Sequence, residues 1–363
     1  MKKILFITAF PSNKKTAGQN FSRQLISKLS KSSNIDLLYF SYKEHQLDKN
    51  LEVNKVIKIK NNGLRKILNV LLYPFFHPFF ISRFSWTLLF TLIKKRKNYD
   101  MLIFDFSQVQ IYSYFLKHSN KIHICHDVIQ QKFSRSKGKI ECFFINFSEK
   151  HILKRANKIF TFSQKDSGLI KKYYGLDSEK VNFFLDEAIV DIKNNVFQVE
   201  NYFMMYGAWN RKENYEGLDW FLINVFPFLH NFDLKIIGPK MPNRLLKKID
   251  GLKSIEYLGF VDNPYVVISK SKALIAPVFS GAGVKVKVVE SLSLGVDVIG
   301  TKIAFEGIEC YNENFVCNSD EDFISILSKF NTNKIDSDIR MNRKLEFHKI
   351  YKDSKLVEIL LGL

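Results

Sequence analysis

Acidic residues are scarce in this sequence. Its 363 residues hold 36 Asp and Glu against 55 Lys and Arg, a formal net charge of +19. Such a balance suits an anionic partner: nucleic acid, anionic lipid or a phosphorylated substrate. Part of the excess accompanies an abundance of Lys, Asn, Ile and Phe, the bias of an AT-rich coding sequence. No RNA- or DNA-binding motif and no arginine-rich tail goes with it, so no nucleic acid partner is expected. Cysteine is scarce too. Cys125, Cys142, Cys310 and Cys317 have no zinc-ligand spacing, and reduced thiols in a cytoplasmic protein are expected. No G-x-G-x-x-G follows the first predicted strand, which argues against a Rossmann dehydrogenase. The apolar run in Met1-Lys-Lys-Ile-Leu-Phe-Ile-Thr is too short for a signal peptide and reads as a first β-strand.

What is present is most informative between Pro277 and Thr301. Ala273–Pro277 is short and apolar, as a buried strand should be. Gly281 and Gly283 supply a turn that side chains would obstruct. Val284 to Leu294 then reads as a helix, with Gly295 at its C-cap position and a strand over Val296–Ile299. A glycine turn opening a helix directs backbone N–H groups at an anion, which suits a phosphate. At about 100° per residue, Lys287 and Glu290 lie roughly 60° apart on one face, and Lys285 points nearly opposite Lys287. Glu290, two turns on, suits a sugar hydroxyl. A plain βαβ unit with solvated lysines has the same spacing, because a lone glycine turn is a weak signal.

The length accommodates two domains. In the first half, strands are expected at Lys3–Ala9, Ile35–Phe40, Leu102–Asp105, Ile122–Cys125 and Lys158–Ser163. Helices are expected near Gln19–Lys31, where Phe21, Leu25 and Leu29 repeat at i, i+4, i+8, and at Glu149–Ala156. The second half repeats the logic: strands at Tyr202–Gly207, Leu234–Gly238 and Ile255–Gly259, and a helix at Asn214–Leu229. This βα alternation predicts α/β architecture: two Rossmann-like, doubly wound domains facing across a cleft. Their bounds are 1–195 and 196–344, with a helical tail from Ile339 to Leu363. His126 and Asp127 follow the strand Ile122–Cys125, at the end of a parallel sheet where ligands bind. The same residues can be an ordinary loop, with Asp127 capping the next helix. His123 lies inside the strand and reads as structural.

Ser280-Gly-Ala-Gly-Val-Lys-Val-Lys-Val-Val-Glu290-Ser-Leu-Ser-Leu-Gly, followed by Glu306-Gly307-Ile308, resembles the nucleotide-sugar site of the GT-B glycosyltransferases, in particular retaining family 4, "group 1". Tyr206-Gly-Ala-Trp-Asn-Arg-Lys-Glu-Asn214, Phe162-Ser163 to Asp166, and Cys125-His126-Asp127-Val128 resemble further family segments, in the family's order, over roughly residues 3–310. The family has a Glu, seven residues, then a second Glu. Glu290 matches the second, while Ala282 stands where the first belongs.

The resemblance implies transfer of a sugar from a nucleotide diphosphate sugar to a saccharide or lipid-linked saccharide, in cell-surface polysaccharide or glycolipid synthesis, with retention and with no cofactor. It also implies a final helix, about 345–363, packing back on the first domain. His126, with Asp127, is expected at the transferred sugar and Glu290 at the donor ribose. Backbone N–H groups of Gly281, Ala282, Gly283 and Val284 are expected at the phosphates, near Gly18 with Gln19, and Gly207. Arg211, Lys212 or Lys287 would neutralise the leaving diphosphate. Glu306 could touch the nucleotide or simply end its strand. No Asp-x-Asp pair closes a strand, so no metal is expected. Two other readings stand beside this one: a degenerate GT-B protein that binds without catalysis, favoured by Ala282, and a GT-B epimerase or phosphorylase.

Residues 64–97 are aromatic-rich and flanked by cations. Pro74, Pro78 and Arg83 interrupt the stretch, so it lacks the roughly 20 apolar residues a spanning helix needs. It reads either as an interfacial segment on anionic lipid at the inner face of the cell membrane or as a pair of buried helices of the first domain.

Overall fold

The computed structural model describes residues 1–41, 46–60, 69–191, 198–332, 335–351 and 354–362. The chain divides into two compact units, Met1–Phe184 with Asp353–Leu363, and Leu185–Lys352. Each is an α/β unit built on one parallel sheet.

In the first unit the strands are β1 (Lys2–Thr8), β2 (Ser33–Ser41), β3 (Lys55–Lys60), β4 (Met101–Asp105), β5 (Lys121–Cys125), β6 (Lys158–Thr161) and β7 (Glu179–Lys180). They run in the order β3-β2-β1-β4-β5-β6-β7, all parallel. Central strands such as β4 and β5 are buried along their whole length, because helices cover both faces of a parallel sheet. Strand order reverses between β1 and β4, the place where such sheets open a ligand crevice.

Several elements differ from the sequence-based expectation. The first helix is Ala17–Ser30, because Thr16 caps it: its hydroxyl accepts from the Gln19 amide and donates to the Gln19 side-chain oxygen. Gly18 thus lies inside the first turn. The helix expected at Glu149–Ala156 begins ten residues earlier, at Lys139, and ends at Leu153. Its inner face buries Ile145, Ser148, Glu149, Ile152 and Leu153, while Ile140, Phe143 and Phe147 point outward. Apolar residues on both faces erase the 3.6-residue period that would have revealed it.

The described part of 64–97 alternates between core and surface. Helices Pro78–Ile81 and Trp86–Lys95 contribute Phe80, Ile81, Leu88, Leu89 and Leu92 to a cluster with Phe76 and Phe84. Tyr73, Phe75 and Phe90 remain exposed. Residues 64–68 lie outside the described residues, as do 192–197, where the two halves were expected to join. The helical tail is two helices, Ser337–Ile350 and Leu356–Leu361, with 352–353 and Leu363 outside the described residues. The second of these packs in the first unit, where the Lys2 ammonium donates to the carbonyls of Leu360 and Leu361 at 3.3 and 2.6 Å.

The second unit has β8 (Phe203–Tyr206), β9 (Leu234–Ile237), β10 (Ile255–Gly259), β11 (Ala273–Ala276), β12 (Asp297–Thr301) and β13 (Val316–Cys317), ordered β10-β9-β8-β11-β12-β13 and parallel throughout. The reversal falls between β8 and β11. The helix after β8 is Lys212–Asn224 rather than Asn214–Leu229, because a separate 3-10 turn at Phe226–Phe228 brings Pro227 in at its start. A Cβ on Gly217 would stand 2.0 Å from the Pro277 carbonyl oxygen. Glycine there lets this helix press onto the chain leaving β11.

Candidate functional site

In the second unit the chains leaving β8 and β11 meet at the reversal of strand order. After β11, Gly281 and Gly283 take φ of +107° and +68°, a region that side chains disfavour. The turn is longer than expected. The helix starts at Val286, with Lys285 as its cap residue, and ends at Ser293; β12 accordingly spans Asp297–Thr301. Lys285 is therefore not on the helix face opposite Lys287. Its ammonium folds back and donates to the carbonyls of Gly283 and Ala282 at 2.8 and 3.3 Å.

Lys287 and Glu290 are both partly buried on this helix. The Lys287 ammonium donates to Asn214 Oδ1 at 3.0 Å, and the Asn214 amide donates to the Ala208 carbonyl at 3.0 Å. Asn214 thus ties the lysine to the loop after β8. Gly207, which begins that loop, leaves room for it, since a Cβ there would stand 2.8 Å from Asn214 Nδ2. Glu290 accepts from the Tyr265 hydroxyl at 2.9 Å. Burial raises the Glu290 carboxyl to about 8, and the charge of Asp186 adds to the rise. Burial lowers Lys287 to about 8, which the charge of Glu213 partly offsets. Removing a charge from water disfavours its ionised form. The helix therefore holds one acid and one base, each bonded to a neutral partner and each drawn toward neutrality. Burial and the nearby Glu290 charge also push the Tyr265 and Tyr206 hydroxyls up.

The first unit has a different arrangement at its own reversal. Asp105, the last residue of β4, is fully buried. It accepts from the hydroxyl of Thr8 at the end of β1 at 3.1 Å, from the Ser22 hydroxyl, and pairs with His126 Nε2 at 2.7 Å. The His126 ring lies flat on Phe106, centroids 4.0 Å apart, with Phe21 edge-on and Phe162 tilted against it. Phe106 has φ of +72°, a strained conformation for an aromatic residue. A Cβ on Gly18 would stand 2.9 Å from the Phe106 ring and 3.4 Å from His126 Nδ1. Only a glycine lets the first helix approach this closely.

The structure brings Gly18 together with His126 in the first unit, and Gly207 with the 281–287 segment in the second. Asp127 lies beside His126 in sequence but pairs with Lys132 at 3.8 Å. It does not cap the following helix: Glu149 does, accepting from the amides of Ile129 and Gln130 at 3.0 and 2.8 Å. Arg211 and Lys212 are exposed, and Lys212, its side chain 70% exposed, pairs with Glu216 at 3.6 Å. Glu306 sits partly buried in the turn after β12. His123 is buried, bonded to Ser113 Oγ at 2.7 Å and lowered to about 3 by burial, consistent with a structural role. Asp105, Phe106, Asn214 and Tyr265 were missed. Of these only Asp105 carries a sequence signal, an acid closing an otherwise apolar strand.

Among the described residues, no three His, Cys, Asp or Glu side chains gather as metal ligands, and no helix is long and apolar enough to cross a membrane. The cysteines are free thiols.

Residues 200–330, within the second unit, match the family model "Glycosyl transferases group 1". No curated protein matches the chain by sequence. Solved structures match its fold over nearly all of its length. Anabaena HepE in complex with UDP and glucose aligns with a TM-score of 0.67 at 12% identity, covering 100% of this chain and 98% of that one. TarM gives 0.69 at 11%, covering 100% and 97%. WaaB, a lipopolysaccharide outer core galactosyltransferase, gives 0.64 at 15%, covering 96% of each. The group 1 match thus falls in the second unit, and the chain, with its two Rossmann-like units, has the fold of these solved structures.

Proposed function

We propose that the protein transfers a sugar from a nucleoside diphosphate sugar to a saccharide or lipid-linked saccharide in the synthesis of a cell-surface polysaccharide or glycolipid. One observation carries the reading: Lys287 and Glu290 share one helix face behind the 281–283 turn, each held by a neutral partner and shifted toward neutrality. A donor supplies what both lack. Its diphosphate is an anion for Lys287, and its ribose hydroxyls are donors for Glu290. Amides of the turn would take the phosphate oxygens. As the glycosidic C–O bond breaks, its electron pair stays on the diphosphate, and the nearby ammonium stabilises that charge. The partly buried Lys287 suits this role better than the exposed Arg211 and Lys212. His126 would orient the transferred sugar, while Asp105 and Phe106 fix its ring. Retention and independence of metal are proposed from the resemblance and from the lack of an Asp-x-Asp pair at a strand end. The UDP complexes of HepE make UDP the first nucleotide to try.

A thermal-shift screen of nucleoside diphosphates and their sugars tests the reading. A rise in melting temperature with one nucleotide class, followed by turnover of its sugar, is expected. No shift with any of them would remove the site. A shift without transfer or donor hydrolysis would favour the non-catalytic reading, which Ala282 supports by its lack of a carboxylate.

Peripheral contact with the inner face of the membrane through 64–97 is part of this proposal. The exposed Tyr73 and Phe75 support it.

A further inference from the structure

We propose that the outer face of the helix Lys139–Leu153 docks on an anionic bilayer surface. Ile140, Phe143 and Phe147 are 89%, 74% and 42% exposed. They fall within an arc of about 60° on this helix, opposite the face that buries Ile145, Ser148, Glu149 and Ile152. The core therefore does not need them. Lys139 and Lys150 are exposed and flank that arc, about 40° and 20° beyond Phe143. From residue 128 to 155 the chain carries five lysines and two arginines against two acids, Glu141 and Glu149. Glu149 is buried at the helix cap, and Glu141 pairs with Lys137 at 3.3 Å.

The face extends beyond the helix. The His77 amide donates to Ser148 Oγ at 2.8 Å, and the His77 ring packs on Phe144. Residues just before it, including Phe75 at 62% exposure, thus border the same helix. Exposed phenyl and aliphatic groups among lysines are the composition of a segment lying in the headgroup region. Their charge complements anionic lipid. Protein interfaces are depleted in lysine, which argues against a protein partner.

This inference deepens the membrane contact proposed above and rests on that reading for its purpose. It moves the main contact from 64–97 to the neighbouring helix. The test is co-sedimentation of the full chain with phosphatidylcholine vesicles, with and without phosphatidylglycerol. Binding is expected only with phosphatidylglycerol and should weaken as salt rises. The combined change Ile140→Ser, Phe143→Ser, Phe147→Ser should lower binding about tenfold or more, and Lys139→Glu with Lys150→Glu should do likewise. Circular dichroism should stay as in the parent. Phe90→Ser, on the helix Trp86–Lys95, should bind as the parent does.

Failure of the parent protein to sediment would overturn the docking, and so would parent-like binding by the triple-serine variant. Loss of binding in Phe90→Ser alone would return the contact to 64–97. Sedimentation velocity without lipid covers the other occupant: a parent dimer that the triple variant abolishes would assign the face to a second copy. Nucleotide thermal shifts in the same variants separate the two claims. If they vanish in the parent, the transferase reading fails whatever the vesicles show.

Discussion

The two units answer the same geometric question differently. Each places a charged residue where its strand order reverses. In the first unit that residue is Asp105, and the protein itself surrounds it with two hydroxyls and an imidazole. In the second, Lys287 and Glu290 receive one neutral hydrogen-bond partner each, and burial moves both to about 8. A satisfied buried charge specifies structure; an under-supported one is costly to the fold and useful only when a ligand completes it. The first arrangement holds the His126 ring, and the second is where we propose that a donor binds.

The comparison can be broken most easily by mutation. Glu290→Ala, Lys287→Met and His126→Ala should each lower transfer by about 100-fold or more, the scale of losing one preorganised polar group. For Lys287→Met, the melting temperature should hold or rise, because a charge that burial disfavours has been removed. Steady-state kinetics beside a melting curve checks this, and full turnover in any of the three would dismiss that residue's role.

Asp105→Asn should do the reverse at the level of stability. Its amide would face donors that now meet a carboxylate, at a cost of roughly 2–3 kcal/mol, read as a lower urea midpoint. If Asp105→Asn is as stable as the parent while Lys287→Met is not, the contrast between the units is inverted.

Gly18→Ala is a smaller perturbation. Its methyl meets the Phe106 ring at 2.9 Å, so the ring must move, at a cost of about 1–2 kcal/mol. The imidazole resonances of His126 should shift with it, and unchanged resonances would show that the ring does not depend on that close approach.

Proton linkage is the finest test. Below 8, Glu290 is largely protonated in the free protein and Lys287 already charged. A nucleotide that needs both groups charged should therefore release a net ~0.8 proton at pH 7, about 0.9 from Glu290 less about 0.1 taken up by Lys287. Above 8 the acid is already ionised and the lysine largely neutral, so binding at pH 9 should take a proton up. Calorimetry in buffers of different ionisation enthalpy reads the sign. The same sign at both values would mean that one of the two groups does not contact the ligand.

Much of the fold was legible because central strands announce themselves. Lys3–Ala9, Leu102–Asp105 and Ile122–Cys125 are short, apolar and bounded, and the structure places β1, β4 and β5 there within a residue. Edge strands are written more weakly. β3 reads Lys-Val-Ile-Lys-Ile-Lys and is partly exposed along its length, while β7 and β13 are two residues each. The glycine turn and the helix carrying Glu290 were readable in the residues. The partners were not: Tyr265 stands 25 positions before Glu290 and Asn214 stands 73 before Lys287. Contacts of that separation are made by the sheet, and no local pattern records them. The helix start was misplaced by two residues because positive φ at both glycines prolongs the turn through Lys285.

The tether between Lys2 and the carbonyls of Leu360 and Leu361 has a consequence for biosynthesis. Domains generally fold as units while the ribosome extends the chain. Here the unit whose strands emerge first must wait for its closing helix until the other unit has been translated in full. Order of emergence and order of completion are thus opposed, and the nascent first sheet stands without that cover while its neighbour is made.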